Sequence, residues 1–301
     1  MANGHEVETA VIPVQGVWSQ IKHRQLRQRS WTIVVTVCVV AFCMLAQSYA
    51  GVTVYPTEVF VKPPNKSAPI VITNPSNNEI EVWLTFSYQY PVIFDSTGIK
   101  MSAGDSTSGD EPAASKWLRA IPQRFTLKPQ ESQVVRILGS PPPGLKSGEY
   151  WSQIVIGSKD RKLAAVNDQQ GAKFNMDIIT QTVVPFHFRT GATTTGLQIR
   201  EAQAVATPKG IHMRLVLDRS GNASYWGRMT TRVLNANGKV IKTKESRMVV
   251  YRSMDYSLDI ELGEERSGQY SVELVFDNRH PGLSPEFRIP SGSVTQRIPV
   301  Q

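Results

Sequence analysis

Cysteine, histidine and long apolar runs are all scarce in this 301-residue chain. Its 2 cysteines, Cys38 and Cys43, both lie in one apolar stretch near the start. Beyond residue 50 there is none, which excludes disulfides, thiolate nucleophiles and Cys-based metal sites from that part. Histidine there is confined to His187, His212 and His280, with no pair at metal-ligand spacing. A Gly-x-Ser-x-Gly elbow and a glycine-rich phosphate loop are also missing. Carboxylate pairs such as Glu264-Glu265 fall in a turn and read as solvated surface. The inventory argues against an enzyme and calls for no cofactor and no metal.

The one apolar stretch is itself short. Trp31 to Ala46 spans 16 residues, below the ~20 needed to cross a bilayer. Lys22, Arg24, Arg27 and Arg29 precede it, and Ser48-Tyr49-Ala50 places small residues at −3 and −1 before Gly51. That order is a basic n-region, an h-region and a cleavage site, so residues 1–50 are expected to be a signal peptide and the rest to be exported. The alternative is an uncleaved inner-membrane anchor through residues 31–46. The net charge of +8 falls to +6 once residues 1–50 are set aside, and the remaining basic residues are scattered among strands and turns. Nucleic-acid binding concentrates such charge on one face, so it is not expected here.

From Gly51 onward the pattern is that of antiparallel strands. Val52, Val54 and Val59 to Val61 open the chain, interrupted at Tyr55-Pro56, and Ala68 to Thr73 follows. Asn74-Pro75-Ser76-Asn77-Asn78 is a dense turn signal, and Ile80-Val82-Leu84-Phe86-Tyr88 alternates strictly, as a strand with one buried face does. Residues 95–115 read as a mobile loop. Strands are expected at Gln133 to Leu138, at Trp151 to Ile156 and from Met176 to Phe188, with Gly157 to Asn175 a polar, basic stretch between the last two. About seven strands in about 140 residues match an immunoglobulin-like sandwich. Gly191 to Gly196 is a small-residue linker, and the second half repeats the grammar, with a type I′ hairpin expected at Asn237-Gly238. Gly148-Glu149-Tyr150 and Gly268-Gln269-Tyr270 each place a tyrosine after a glycine turn, as in the tyrosine corner of such sandwiches. The expected architecture is all-β: residues 51–190 and 197–301 as two immunoglobulin-like sandwiches, each held by its core alone.

The first half resembles the N-terminal domain of the periplasmic pilus-assembly (fimbrial) chaperones. The resemblance is carried, in order, by Val52 to Val61, Ile70 to Asn74, Ile121 to Gln130, Val134 to Ile137, Gly148 to Tyr150 and Val184 to Arg189. It implies two sandwiches that cap unfinished pilus subunits, with an outer-membrane usher as a further partner. The last strand of the first domain would lend alternate residues to the subunit by β-strand addition, here Met176, Ile178, Thr180, Thr182, Val184 and Phe186. The family holds the subunit's terminal carboxylate with basic residues at positions that fall near Glu58 and Pro185, and neither is basic. Lys62, His187 or Arg189 would have to substitute, with Arg189 read as structural at the domain junction.

Plainer readings stand beside these. Met176 to Phe188 also fits an ordinary final strand paired within its own sheet. Lys159, Arg161, Lys162 and Lys173 fit a solvated loop as well as a subunit contact, and Trp83, Trp117, Trp151 and Trp226 fit core positions better than a ligand platform. The expected function is a periplasmic chaperone binding pilus or envelope subunits; the alternative is a structural or adhesive component of the cell envelope.

Overall fold

The computed structural model describes residues 51–102, 112–160, 164–167, 173–176, 178–263 and 268–301. The expected signal segment, the Glu264-Glu265 pair, and Arg161 and Lys162 lie outside the described residues. Those residues form strands joined by turns, with short 3₁₀ turns at Ser115–Trp117 and Pro285–Phe287.

The first sandwich pairs a four-stranded sheet with a five-stranded one. Its strands are β1 (Thr53–Tyr55), β2 (Val59–Val61), β3 (Ser67–Thr73) and β4 (Ile80–Ser87). After β5 (Pro91–Asp95) and β6 (Gly98–Met101), which belong elsewhere, come β7 (Leu118–Ile121), β8 (Arg124–Leu127), β9 (Ser132–Gly139) and β10 (Gly148–Asp160). The hairpin of β11 (Ala164–Asn167) and β12 (Lys173–Met176) stands alone as a pair, and β13 (Ile179–Thr190) closes the domain. One sheet runs β1-β3-β9-β7 and the other β2-β13-β10-β4-β8. The opening segment changes sheets between Tyr55 and Val59: β1 pairs antiparallel with β3, and β2 pairs parallel with β13.

The second sandwich contains β14 (Thr195–Thr207), β15 (Gly210–Gly221), β16 (Tyr225–Leu234), β17 (Val240–Val250), β18 (Ser253–Glu261), β19 (Ser271–Asp277) and β20 (Val294–Pro299). Its sheets run β14-β15-β18-β5-β6 and β17-β16-β19-β20.

Period-2 patterning places the cores. Along β4, Ile80, Val82 and Leu84 are buried and the residues between them are not, as the alternation predicts. Ile70, Ile72, Val135, Ile137, Ile154 and Ile156 fill the first sandwich. Met213, Leu215, Met229, Val272, Leu274 and Phe276 fill the second. Each such side chain contributes about 1.5–3 kcal/mol, which is how domains lacking disulfides hold together. Asn74 fixes the turn at 74–78: its amide donates to the carbonyls of Asn78, Leu127 and Lys128, and its Oδ1 accepts from the Ser76 amide and hydroxyl. Tyr150 makes the expected corner bond, its hydroxyl donating to the Lys146 carbonyl at 3.1 Å. Tyr270 packs against the second core.

Three local expectations fail. Part of the expected mobile loop is the hairpin β5–β6, which leaves the first sandwich and adds to the second, pairing Ile93 and Phe94 in parallel with Asp255 and Tyr256 of β18. Residues 103–111 lie outside the described ones. Gly157 to Asp160 belong to β10 and are paired on both sides, by β4 and by β13 down to Lys159, rather than forming a loop. The β16–β17 turn is not type I′, because that turn needs positive φ at both central residues and Asn237 does not have it. Instead Asn235 Oδ1 accepts from the amides of Asn237 and Lys239, the Asn235 carbonyl accepts from Gly238, and only Gly238 (φ 75°) is left-handed.

Candidate binding cleft and domain junction

β13 is paired unevenly. On one side it meets β10 along its whole length, from Ile179 opposite Lys159 to Thr190 opposite Gly148. On the other side β2 covers only Phe186 to Phe188. Among the described residues no strand pairs with the second edge of β13 from Ile179 to Pro185, so its backbone donors and acceptors there are open to another chain. The side-chain alternation is opposite to the expected one. Val184 and Phe186 point into the first core and are buried, with Thr180 and Thr182 half-buried on the same face. The outward face carries Ile179 (54% exposed), Gln181, Val183 (48% exposed) and Pro185. Ile178, just ahead of the strand, is also exposed, and the side chain of Met176 lies outside the described ones.

Val183 and Pro185 look onto a cleft of about 330 Å³. The first sandwich also contributes Glu58, and the hairpin β5–β6 contributes Phe94, Ile99 and Met101. The second sandwich closes it with Trp226, Arg247, Tyr251, Met254 and His280 among others. Phe94 is braced by stacking on Tyr256 at 5.0 Å. The cleft is thus apolar along the hairpin, and Glu58 and Arg247 bring charge to it beside His280. Burial holds the His280 pKa below its ordinary value, with Glu58 opposing and Arg247 adding to the depression. Its ring stands edge-on to Trp226, and Nδ1 accepts from the Gly282 amide.

Behind the cleft the two sandwiches share a buried polar network centred on Glu149. Arg189 Nε donates to Oε2 at 2.6 Å, and His187 Nδ1 lies 3.0 Å from Oε1. From the second sandwich the Ser224 hydroxyl donates to Oε1, and Trp226 Nε1 donates to the Ser224 hydroxyl at 2.8 Å. Burial alone would push the Glu149 pKa up, but the charges and hydrogen bonds of His187, Arg189 and Ser224 outweigh it and bring it to about 2. An ionised carboxylate only accepts, so Nδ1 of His187 carries a proton; Nε2 lies 3.3 Å from the Tyr251 hydroxyl, which burial keeps protonated. Arg189 also donates to the Phe287 carbonyl, and its guanidinium lies 4.9 Å from the Phe60 ring centroid. Phe60 stacks in turn on His187 at 4.5 Å.

This geometry separates the expected cleft residues into two groups. Glu58 and Pro185 line the cleft. Lys62, His187 and Arg189 do not: His187 and Arg189 are turned into the junction, and Lys62 donates to the Glu286 carbonyl beside Phe287. None of the three is placed to replace a basic cleft anchor, because each is already engaged with the junction or the second sandwich. Arg189 bridges Glu149 of the first sandwich and the Phe287 carbonyl of the second. Arg247, Tyr251 and the hairpin residues were missed by the sequence reading. Of the tryptophans, Trp151 and Trp226 are buried at the junction, Trp117 packs on Phe186 and Phe188, and Trp83 lies outward across Gly157.

No protein-family model matches the chain, and no curated protein does. Solved structures similar to it are fimbrial chaperones. They include the Salmonella enterica SafB chaperone in complex with SafA pilin, at 15% identity over 84% of this chain and 99% of that one, TM-score 0.41. The CsuC–CsuE chaperone–tip adhesion subunit complex of Acinetobacter baumannii is 10% identical over 83% and 98%, TM-score 0.41. The class 5 fimbriae chaperone CfaA is 14% identical over 82% and 98%, TM-score 0.41.

Proposed function

We propose that this chain is a chaperone that holds an extended segment of a pilus or envelope subunit by adding it as a strand to the open edge of β13. The observation that carries the reading is the run Ile179–Pro185, unpaired on one edge among the described residues, with Ile179, Val183 and Pro185 facing outward. An unpaired backbone edge selects an extended chain, and alternate apolar side chains supply the specificity pockets of strand addition. The hairpin residues Phe94, Ile99 and Met101 give that segment an apolar wall on the far side of the cleft. Sequence resemblance and edge geometry converge on one role.

Co-expression with small exported pilin-like subunits tests this. Val183→Asp and Ile179→Asp replace exposed side chains, so they are expected to leave folding intact and abolish the complex. A complex that survives both substitutions would overturn strand addition at this edge. Retention of the protein in the assembled surface fraction would instead support the structural-component alternative, since a chaperone is released.

A further inference from the structure

The sheet β1-β3-β9-β7 buries one face in the first core through Leu118, Ile70, Ile72, Val135 and Ile137. Register sets what its other face carries. Tyr55 of β1 stands opposite Val71 of β3, and Val71 opposite Val134 of β9, so these side chains form one row across the sheet. In the next row of that face Arg136 of β9 lies between Pro69 of β3 and Ile121 of β7. In the row after it Leu138 lies between Ser67 and Arg119. Tyr55 is 75% exposed, Ile121 58% and Val134 57%, and Pro69, Arg119 and Arg136 are exposed with them. A solvated sheet face is ordinarily polar, and contiguous exposed apolar side chains mark an interaction surface.

The charge on this face has one sign. None of the residues in these rows is acidic, and among the described residues neither Arg119 nor Arg136 has a hydrogen-bond or ion-pair partner. Glu131, just ahead of β9, spends its carboxylate on the Lys128 amide at 2.7 Å. A second copy stacked on this face would set the arginines of both copies against one another, so the face fits an anionic partner instead. The chain itself indicates which. Residues 47–52 alone separate the apolar run Trp31 to Ala46 from Thr53, where β1 begins. That is at most about 25 Å of extended chain. On the export reading, β1 and its outward face therefore stay beside the lipid headgroups while the run passes through the inner membrane.

We propose that this face is a membrane-contact surface, on which Tyr55, Val134 and Ile121 enter the headgroup region of an anionic bilayer and Arg119 and Arg136 pair with lipid phosphates. Tyrosine, with an apolar ring and a polar tip, suits that interface, and the arginine fork matches a phosphate. The surface lies on the sheet that does not contain β13, so it stands or falls apart from strand addition.

The test is co-sedimentation of the protein, in the form its host exports, with vesicles of phosphatidylcholine alone or mixed in equal parts with phosphatidylglycerol. The expected result is binding that is tighter to the mixed vesicles and weakens as salt is raised. Arg119→Gln and Arg136→Gln should each weaken that binding about 5-fold, the contribution of one basic residue at an anionic surface. Val134→Asp, which places a carboxylate in the apolar row, should weaken it further. All three positions are exposed, and an unchanged Tm qualifies each variant as folded. Should one not fold, the other two carry the test. Val183→Asp, on the β13 edge, should leave vesicle binding unchanged while it abolishes the subunit complex. Equal binding to both vesicles, or mixed-vesicle binding that the folded variants leave unchanged, overturns the proposal. Binding to soluble polyglutamate with none to vesicles would overturn it in favour of an acidic protein partner.

Discussion

Replacing Glu149 with glutamine removes the one negative charge in a buried junction while nearly preserving its shape. Arg189, with 8% of its side chain exposed and its Nε 2.6 Å from the carboxylate, is left without its counter-charge. Breaking one partner of a buried pair costs about 3–5 kcal/mol. The titration of Glu149 gives a second route to the magnitude. Its pKa falls from 4.5 to about 2 on folding; at ~1.4 kcal/mol per unit that difference is worth roughly 3 kcal/mol. A depressed carboxylate pKa means the stabilisation is fully present above pH 4.5 and is lost as pH falls towards 2. Glu149→Gln is therefore expected to lower stability by about 3 kcal/mol at pH 7, with the gap to the unsubstituted protein closing between pH 4.5 and 2. Urea unfolding followed by tryptophan fluorescence suits the measurement, because Trp151 and Trp226 both sit at this junction. A loss below about 1 kcal/mol at pH 7, or a gap that stays constant down to pH 3, would refute the assignment of Glu149 as an ionised keystone.

Two further perturbations follow from packing and charge. A Cβ at Gly157 would stand 2.3 to 2.5 Å from the indole of Trp83, so Gly157→Ala should cost about 1–2 kcal/mol; in a Trp83→Ala background the same change should be nearly neutral, which a double-mutant cycle of urea midpoints checks. Arg247 contributes to the low pKa of His280, so Arg247→Ala should move the His280 titration upward in NMR, and Glu58→Gln should move it further down.

How much of this was legible depended on whether a feature was local. The alternation of Ile80, Val82 and Leu84, the turn at Asn74 and the corner at Tyr150 are each decided within a few residues, and the sequence reading found them. The parity of β13 was not decidable that way. From Val183 to Phe188 nearly every residue on both faces is apolar, so alternation gives no phase. Only the pairing of Phe186 with Val59 and the filling of the first core set which side points out. The hairpin β5–β6 was hidden for a different reason. Its strands are 5 and 4 residues long, rich in Ser, Thr and Gly around the turn, and its partner β18 lies in the other half of the chain. Glu149 did leave a signal, a carboxylate in the strand Gly148–Asp160 shortly before the apolar residues Trp151 and Ile154 to Ile156. A charge in such a place must find a counter-charge or go unionised. Arg189 and His187 on the neighbouring strand answer that demand, and in doing so they leave the cleft. Glu149, His187 and Arg189 are for that reason turned into the junction, and the stretch of β13 that is unpaired on one edge among the described residues, Ile179 to Pro185, lies in the half of the strand before it.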